Sequence, residues 1–259
     1  MGTEVHSTAI VDKGASIDED VAIGPYCIIR AGAKIGKGSR LLSNVLVEGR
    51  TEIGENCTVH PFTSIGFPPQ DLKYKGEDTR LVIGNNNIIR EYATIHRASV
   101  GGEGVTTVGD NNFLCAYVHI AHDCTIGSHV IMTNLATLAG HVLVEDYAYI
   151  GGIVAVHQFT RIGAYSMVGG FSGIGQDIPP YMIASGARAK LFGPNTVGLK
   201  RHGFSDATIA ELKKAYKILF REKRTLKDAI KKVQAELPYT EEIKHLIGFI
   251  EKNKRGICR

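Results

Sequence analysis

The chain has 259 residues, of which 44% are hydrophobic and 22% charged, and its formal net charge is +4. This length accommodates one large domain or two, and five cysteines without framework spacing argue against a disulfide-stapled secreted protein and for a reducing compartment. Because the sequence shows no signal peptide and no apolar run of membrane-spanning length, we expect a cytoplasmic protein without a membrane span.

Through most of residues 11–174, an aliphatic side chain recurs at every sixth position. This period matches neither the 3.6 residues per turn of a helix nor the alternation of a strand, and it is the hexapeptide signature of a parallel β-helix. A mostly small residue stands two positions before each recurring one. Cys27, Cys57 and Cys124 occupy such positions, which predicts buried thiols. The 25 recurring positions are Val11, Ile17, Ile23, Ile29, Ile35, Leu41, Val47, Ile53, Val59, Ile65, Ile83, Ile89, Ile95, Val108, Leu114, Ile120, Ile126, Met132, Leu138, Val144, Ile150, Val156, Ile162, Val168 and Ile174.

Each six-residue unit supplies one short strand and one turn, so three units close a triangular coil of about 18 residues. Successive coils stack as parallel strands about 4.8 Å apart, which makes residues about 18 positions apart neighbours in space. We therefore predict a mainly β protein of about eight coils. Its parallel β-helix covers residues 1–190, and a C-terminal α-helical domain covers residues 191–259.

The repeat is interrupted twice. Asp71 and Glu77 stand where aliphatic residues are expected, so residues 67–80 form a polar loop, and residues 97–105 form a second break with three glycines. Loops that leave a rigid scaffold often carry function, whereas the simpler alternative is a tolerated insertion. Two breaks in an otherwise regular repeat favour function.

Four histidines cluster in the later coils: His119, His122, His141 and His157. With the coil period, His122 stacks under Gly140 and Gly140 under Gln158, while Asp123 stacks under His141. A histidine can accept a proton from a hydroxyl or amine, an adjacent carboxylate can orient it, and a bare glycine N–H can stabilise an oxyanion. No serine or cysteine stands at the centre of this stack. Direct attack by a bound acceptor is therefore favoured, and the nearby Cys124 leaves an acyl-enzyme open.

Two other classes of function compete with acyl transfer. His119 and His122, with a third histidine from a neighbouring subunit, would make a zinc hydratase of the hexapeptide type. That alternative leaves Gly140, Gln158 and the polar loop without a role. A purely structural β-solenoid is the other alternative, and the polar stack argues against it.

The last 60 residues are basic and read as helical. Residues 200–259 carry 16 Lys and Arg against 8 Asp and Glu, whereas residues 1–199 carry 14 against 18. Ser205, Thr225 and Thr240 are each placed to cap an amphipathic helix. The basic face suits an acidic partner, although a solvated surface explains the same charges. No nucleic-acid partner is expected, because no reader motif is present.

Six motifs resemble one family along nearly the whole chain. They are QDLKY at 70–74, HIAHDC at 119–124, LAGH at 138–141, AVHQF at 155–159, QDIPPY at 176–181 and GLKRHGFS at 198–205. Together they are similar to the UDP-N-acetylglucosamine O-acyltransferase family of lipid A biosynthesis. The resemblance implies a left-handed β-helix and a cytoplasmic homotrimer with sites between neighbouring subunits.

The resemblance also implies a reaction and its catalytic residues. A (R)-3-hydroxyacyl group passes from acyl carrier protein to the 3-hydroxyl of UDP-N-acetylglucosamine, the first step of lipid A biosynthesis. His122 is the general base, Asp123 its orienting partner, and the Gly140 N–H stabilises the oxyanion. No metal or cofactor is implied, since the phosphopantetheine thioester of the carrier is a substrate. Transfer to a 3-amino UDP sugar, with an amide product, remains an alternative.

The resemblance assigns the binding residues as well. The sugar is held by Gln70, Asp71, Lys73, His119 and His141; the diphosphate and pantetheine lie by His157 and Gln158; the nucleotide or carrier contacts Asn195 and Arg201. Gly170 occupies the acyl-chain ruler position and leaves room for a longer chain, unless it is only a turn glycine. Two positions depart from the family pattern at the nucleotide end, where His202 replaces an arginine and Val197 an acidic residue.

Overall fold

Short parallel strands, most of them two residues long, build the body of the protein. In the computed structural model, which describes residues 2–259, they form three sheets that wind into a left-handed parallel β-helix followed by α-helices. The predicted mainly β fold with C-terminal helices is confirmed. Each turn of the chain adds one strand to each sheet, so each side of the solenoid is a parallel ladder, except that the last strand of the first sheet, Lys190–Pro194, pairs antiparallel with Met182–Ser185.

The strands of each sheet follow one another at nearly regular intervals. The first sheet contains Glu4–Val5, Ala22–Ile23, Arg40–Leu41, Thr58–Val59, Ile88–Ile89, Phe113–Leu114, Ile131–Met132, Tyr149–Ile150, Met167–Val168, Met182–Ser185 and Lys190–Pro194. The second sheet contains Ile10–Val11, Ile28–Ile29, Leu46–Val47, Ser64–Phe67, Thr94–His96, His119–Ile120, Thr137–Leu138, Ala155–Val156 and Gly173–Ile174. The third sheet contains Ser16–Ile17, Lys34–Ile35, Thr51–Ile53, Arg80–Ile83, Val105–Val108, Thr125–Ile126, Leu143–Val144 and Arg161–Ile162.

The recurring aliphatic residues fill the interior of the solenoid. All of them are buried except Val11 and Ile17, which belong to the first coil and are half-buried. Burying an aliphatic side chain contributes roughly 1.5–3 kcal/mol, so the interior row is the main source of stability. The predicted burial of Cys27, Cys57 and Cys124 is confirmed, since none of the three is exposed.

Left-handed backbone marks the corners where one sheet passes to the next. The first corner joins the first sheet to the second, and the second corner joins the second sheet to the third. The third corner joins the third sheet back to the first sheet of the next coil. From Asn111 to Phe171, every sixth residue has φ between +55° and +64° and none of these is a glycine. This conformation costs a non-glycine residue roughly 1–2 kcal/mol, which the stacked coils offset.

The two breaks in the repeat both leave the solenoid at the second corner. Outside the breaks, paired residues up to Ile174 are 18 positions apart, as His119 and Thr137 are, and the spacing shortens to 16 where Met167 pairs with Ile183. Across the first break Ser64 pairs with Thr94, and across the second Thr94 pairs with His119. The predicted interruptions at 67–80 and 97–105 therefore lengthen two successive coils on the same side of the molecule.

The C-terminal region contains four α-helices: α1 (Thr196–Arg201), α2 (Asp206–Tyr216), α3 (Leu226–Glu236) and α4 (Glu241–Glu251). A π-helical turn, Lys217–Arg221, continues α2. The three predicted caps are confirmed, because the side chains of Ser205, Thr225 and Thr240 accept hydrogen bonds from the N–H groups three residues later.

Helix α1 was not predicted. The predicted domain boundary after residue 190 falls within the strand Lys190–Pro194. In the described part of the chain, residues 2–259, every helix is too short or too polar to cross a bilayer.

A buried ion pair joins the helices to the last coils. Arg161 forms an ion pair with the fully buried Asp177 at 2.7 Å and donates a hydrogen bond to the Phe249 carbonyl in α4 at 2.8 Å. Asp177 also donates its N–H to the Gly256 carbonyl and accepts from the Cys258 N–H, both at 2.9 Å. The C-terminal tail is thus fixed against the solenoid.

Candidate active site

The predicted stack of His122, Gly140 and Gln158 lies at the second corner. His119 pairs with Thr137 and Thr137 with Ala155, so the three residues occupy the same place in successive coils, and the predicted register is confirmed. A Cβ atom built on Gly140 would lie 2.5 Å from Cε1 and 2.8 Å from Nε2 of His122. The imidazole therefore lies against a backbone that only glycine leaves open.

The imidazole of His122 is oriented by the neighbouring carboxylate. Its Nδ1 lies 2.7 Å from Oδ2 of Asp123. Because a carboxylate only accepts hydrogen bonds, Nδ1 carries the proton, and Nε2 of the neutral ring is left with a lone pair for a substrate proton. No acceptor within residues 2–259 takes the Gly140 N–H, so this donor also remains free for a ligand.

The second break covers Asp123. Ser99 donates its hydroxyl to Asp123 Oδ2 at 2.7 Å and its backbone N–H to the same carboxylate at 3.1 Å, while Gly102 packs so closely that a Cβ would lie 2.6 Å from Oδ1. The Asp123 side chain is 2% exposed. Burial by itself raises the pKa of Asp123, but the hydrogen bonds from His122 and Ser99 outweigh burial and hold that pKa below its usual value. Asp123 is therefore an ionised carboxylate near neutral pH.

We expect Ser99→Ala to lower kcat while leaving the substrate KM values unchanged. Losing a hydrogen bond to a charged group costs about 1.5–3 kcal/mol, which corresponds to about a 10- to 100-fold loss if it acts on the transition state alone. Steady-state kinetics check this expectation. Ser99→Thr keeps the hydroxyl and should restore most of the rate. A kcat unchanged in Ser99→Ala would show that the backbone N–H suffices to hold Asp123.

His141 completes the polar cluster one coil above Asp123. Its Nε2 lies 3.7 Å from Asp123 Oδ2, and its ring stacks on Phe159 with centroids 4.4 Å apart. Burial lowers the pKa of His141, and the charges of Asp123 and Asp71 oppose this only in part, so the ring is neutral near pH 7.

His119 lies on the strand that directly precedes His122, and its imidazole is neutral near pH 7. Its Nδ1 lies 2.7 Å from Thr94 Oγ1, and its ring meets the edge of His96, with centroids 5.4 Å apart. Burial, and to a smaller extent the charges of His96 and His122, lowers the pKa of His119 to about 4. His96 in turn donates from Nδ1 to the Pro68 carbonyl at 2.7 Å, which ties the cluster to the first break.

The low pKa of His119 predicts a loss of stability in mild acid. The unfolded chain protonates this residue below pH 6.5, whereas the folded chain does so only near pH 4, so the free energy of unfolding falls as the pH drops between these values. We expect His119 to account for about 1–2 kcal/mol of the loss between pH 7 and pH 5. Urea unfolding of wild type and His119→Asn at both pH values measures it. An equal pH dependence in the two proteins would contradict the prediction.

The first break is fixed by residues that the sequence did not single out. Arg97 donates to the Gly66 carbonyl at 2.9 Å and to the Tyr74 hydroxyl at 3.2 Å. Within the loop, the Lys73 N–H donates to Asp71 Oδ1 at 2.9 Å. Asp71 is half-buried, whereas the side chains of Gln70 and Lys73 are exposed. The loop thus presents a cation and two polar groups on a fixed backbone.

Three predicted residues are not near His122 in the same chain. Gly170 lies at the first corner above Gly152, and Asn195 donates to the Tyr165 carbonyl at the third corner. Arg201 is exposed at the end of α1. By contrast, His157 and Gln158 are exposed beside the second corner, next to Gly140. The roles of all these residues stay predictions.

Cys124 is not available as a nucleophile. Its side chain is fully buried and its Sγ donates to the Ala139 carbonyl at 3.2 Å. Burial raises the pKa of the thiol to about 12, so the thiolate is absent near neutral pH. This finding disfavours the acyl-enzyme that the sequence left open.

The residues that could bind zinc in the structure differ from the predicted ligands, His119 and His122. Within residues 2–259, the candidate metal group consists of His122, Asp123 and His141, whose ligand atoms lie within 4.8 Å of one another. His119 is outside this group, and its Nδ1 is occupied by Thr94. Since Asp123 already accepts from Ser99 and His122, the geometry is that of an oriented base rather than of a vacant chelate.

Several known proteins that are similar to this chain share one name. A family model described as domain 2 of UDP-N-acetylglucosamine O-acyltransferase matches residues 177–258, and one described as bacterial transferase hexapeptide matches residues 32–67 and 106–140. An acyl-[acyl-carrier-protein]–UDP-N-acetylglucosamine O-acyltransferase of Thermodesulfovibrio yellowstonii is 69% identical, over 99% of both chains. One of Syntrophobacter fumaroxidans is 48% identical, over 99% of this chain and 100% of its own. The crystal structure of UDP-N-acetylglucosamine O-acyltransferase from Moraxella catarrhalis matches with a TM-score of 0.96 at 43% identity, covering 98% of this chain and 99% of the other.

Proposed function

The chain belongs to the UDP-N-acetylglucosamine O-acyltransferase family, and we propose that it transfers a 3-hydroxyacyl group from acyl carrier protein to the 3-hydroxyl of UDP-N-acetylglucosamine, the first step of lipid A biosynthesis. The observation that carries this proposal is the His122–Asp123 pair lying against the bare backbone of Gly140. These groups supply a base and an oxyanion donor, the two requirements of acyl transfer without a covalent intermediate.

The proposed reaction runs through one tetrahedral intermediate. Nε2 of His122 takes the proton of the sugar hydroxyl as its oxygen bonds to the thioester carbon. The Gly140 N–H donates to the oxyanion, and Asp123 stabilises the imidazolium. The C–S bond then breaks, and the imidazolium returns its proton to the departing thiolate. No resident cofactor is needed, because the thioester is itself the activated group.

A second copy of the chain is part of the proposal. The predicted acyl-chain ruler Gly170 and the base His122 lie at different corners, so one chain does not bring them together. The first corner is apolar and exposed: Tyr117, Leu135 and Phe171 are 52%, 47% and 75% exposed. A continuous apolar ridge of this kind marks an interface. We therefore infer a cyclic trimer in which the first corner of one subunit faces the second corner of the next.

The trimer has its own test. Leu135→Asp introduces a charge into the ridge, and aspartate tolerates the left-handed backbone at this position, so the fold should survive. We expect native mass spectrometry to show dissociation and assays to show loss of transfer, although His122 is unchanged. A monomeric variant with full activity would contradict a shared site.

The basic tail supports acyl carrier protein as the donor, and the free thiols support a cytoplasmic location. The excess of Lys and Arg in residues 200–259 suits an acidic acyl carrier protein. All five cysteines are free thiols, which is the usual state in a reducing cytoplasm.

Mass spectrometry of the product decides between the proposal and its alternatives. The purified protein is given acyl carrier protein loaded with 3-hydroxyacyl chains of different length. The hydroxyl and the 3-amino UDP sugars are supplied in equal amounts. We expect an ester of UDP-N-acetylglucosamine, whose acyl mass also reports how much room Gly170 leaves. A predominant amide would favour the amino sugar. Loss of activity on chelation, with stoichiometric zinc, would favour the hydratase.

A further inference from the structure

A cavity adjoins the His122–Asp123 pair on the side of the third sheet. Its volume is about 650 Å³. One side is formed by Asp123, His141 and Phe159, and the C-terminal tail forms the other through Lys252, Lys254 and Arg255. Three cationic side chains of the tail therefore line the same cavity as Asp123 and His141.

These three cations have no carboxylate partner. Within residues 2–259, no ion pair joins Lys252, Lys254 or Arg255 to an acidic side chain. Glu103 also reaches the cavity but is exposed, and Asp123 is occupied by His122 and Ser99. The side of the cavity formed by the tail therefore carries an uncompensated positive charge.

Arg255 shows the same lack of a partner at the level of single atoms. One terminal nitrogen donates to His157 Nδ1 at 3.1 Å, and Nε is buried without a hydrogen-bond partner. An imidazole that accepts this bond is uncharged at Nδ1 and leaves the guanidinium charge in place. A guanidinium that lines a cavity and has no carboxylate partner is suited to a phosphate or carboxylate.

The basic segment is held on a rigid support. Gly256 and Cys258 are hydrogen-bonded to the backbone of the buried Asp177, and Ile257 and Cys258 are 6% and 1% exposed. Because the backbone is fixed on both sides, with α4 preceding it, binding an anion there costs little ordering entropy.

We propose that Lys252, Lys254 and Arg255 form a subsite for a phosphate ester of a substrate, next to the His122–Asp123 pair. This inference rests on the proposed function, whose substrates carry two such groups. One is the diphosphate of the nucleotide sugar, and the other is the phosphodiester of the pantetheine arm of the donor. Both are anions that Arg and Lys recognise in the same way.

Kinetics with matched donors test the subsite and identify its ligand. The variants are Lys252→Ala/Lys254→Ala and Arg255→Gln, and the control is Lys13→Ala/Lys34→Ala, which removes the same charge from the first coils. The donors are acyl carrier protein loaded with an acyl group, acyl-phosphopantetheine, and acyl-pantetheine, which lacks the phosphate. We expect about a 10- to 100-fold loss of kcat/KM for the substrate whose phosphate is bound, and no loss in the control.

The pattern across donors separates the sources. A loss with acyl-phosphopantetheine that vanishes with acyl-pantetheine assigns the site to the donor. A raised KM for UDP-N-acetylglucosamine with every donor assigns it to the acceptor. Values within twofold of wild type for all substrates would overturn the subsite. Calorimetric titration with inorganic pyrophosphate gives a readout without catalysis, so that an inactive wild type would refute the proposed function and leave the subsite tested by binding.

Discussion

Replacing His122 with alanine should reduce kcat/KM by about 10³-fold, the central part of the range for general-base catalysis. The variant keeps the oxyanion donor at Gly140 but has no group to take the hydroxyl proton. The fold should remain, because Ser99 still holds the buried Asp123 through its hydroxyl and N–H. Initial rates with saturating donor, together with circular dichroism and native mass spectrometry, measure both expectations.

The matched control for His122→Ala is His129→Asn. His129 lies at the third corner, stacked on Tyr147 with ring centroids 4.5 Å apart, and asparagine tolerates its left-handed backbone. This variant removes an imidazole from another corner and should keep its turnover. If His122→Ala retains turnover within tenfold of wild type while its fold is intact, the base must be another group.

Gly140→Ala should be nearly as harmful, although it removes no functional side chain. The added methyl would lie 2.5 Å from Cε1 of His122, a distance that carbon atoms do not adopt, so the imidazole must move. The same methyl stands beside the oxyanion donor. We expect about a 10²- to 10³-fold loss of kcat, comparable to losing an oxyanion-hole donor. Gly248→Ala in α4, where a Cβ meets no atom within 4 Å, is the control and should be silent.

A double variant distinguishes displacement of the base from other effects of the methyl group. If Gly140→Ala acts mainly by moving His122, then adding it to His122→Ala should cost less than it costs in the wild type. Fully additive losses would mean that the N–H of Gly140 and the base act independently. Wild-type activity in Gly140→Ala would contradict the close packing of the two residues.

The regular part of the solenoid could be predicted from the sequence because one constraint repeats in it. Each coil must bury an aliphatic residue in each sheet, so the spacing of Ile120, Leu138 and Val156 also determines which polar residues share a corner. The stack of His122, Gly140 and Gln158 follows from that spacing alone. The helix caps were predictable for a different reason, since Ser and Thr satisfy free N–H groups locally.

The irregular part could not be predicted in the same way. Ser99 lies 24 positions before Asp123, within the second break, where the coil spacing no longer applies. Arg97 reaches the first break across the second corner, and no periodic rule links the two. Gly170, Asn195 and Arg201 were grouped with His122 by resemblance, but within one chain Gly170 lies at the first corner and the other two lie at the two ends of α1.

The left-handed backbone at the corners has a consequence for how such a site can arise. Asn, Asp and His are the non-glycine residues that adopt φ near +60° with least strain, and Asp123 and His141 have φ of 60° and 61°. The amino acids that suit a corner conformationally are thus also those suited to proton transfer and to polar binding. A mutation that introduces one of them leaves the ladder of the neighbouring sheets unchanged. The corners that hold no polar cluster, such as those with Tyr117 or Leu135, could therefore acquire a polar site by single substitutions without a change in the sheets.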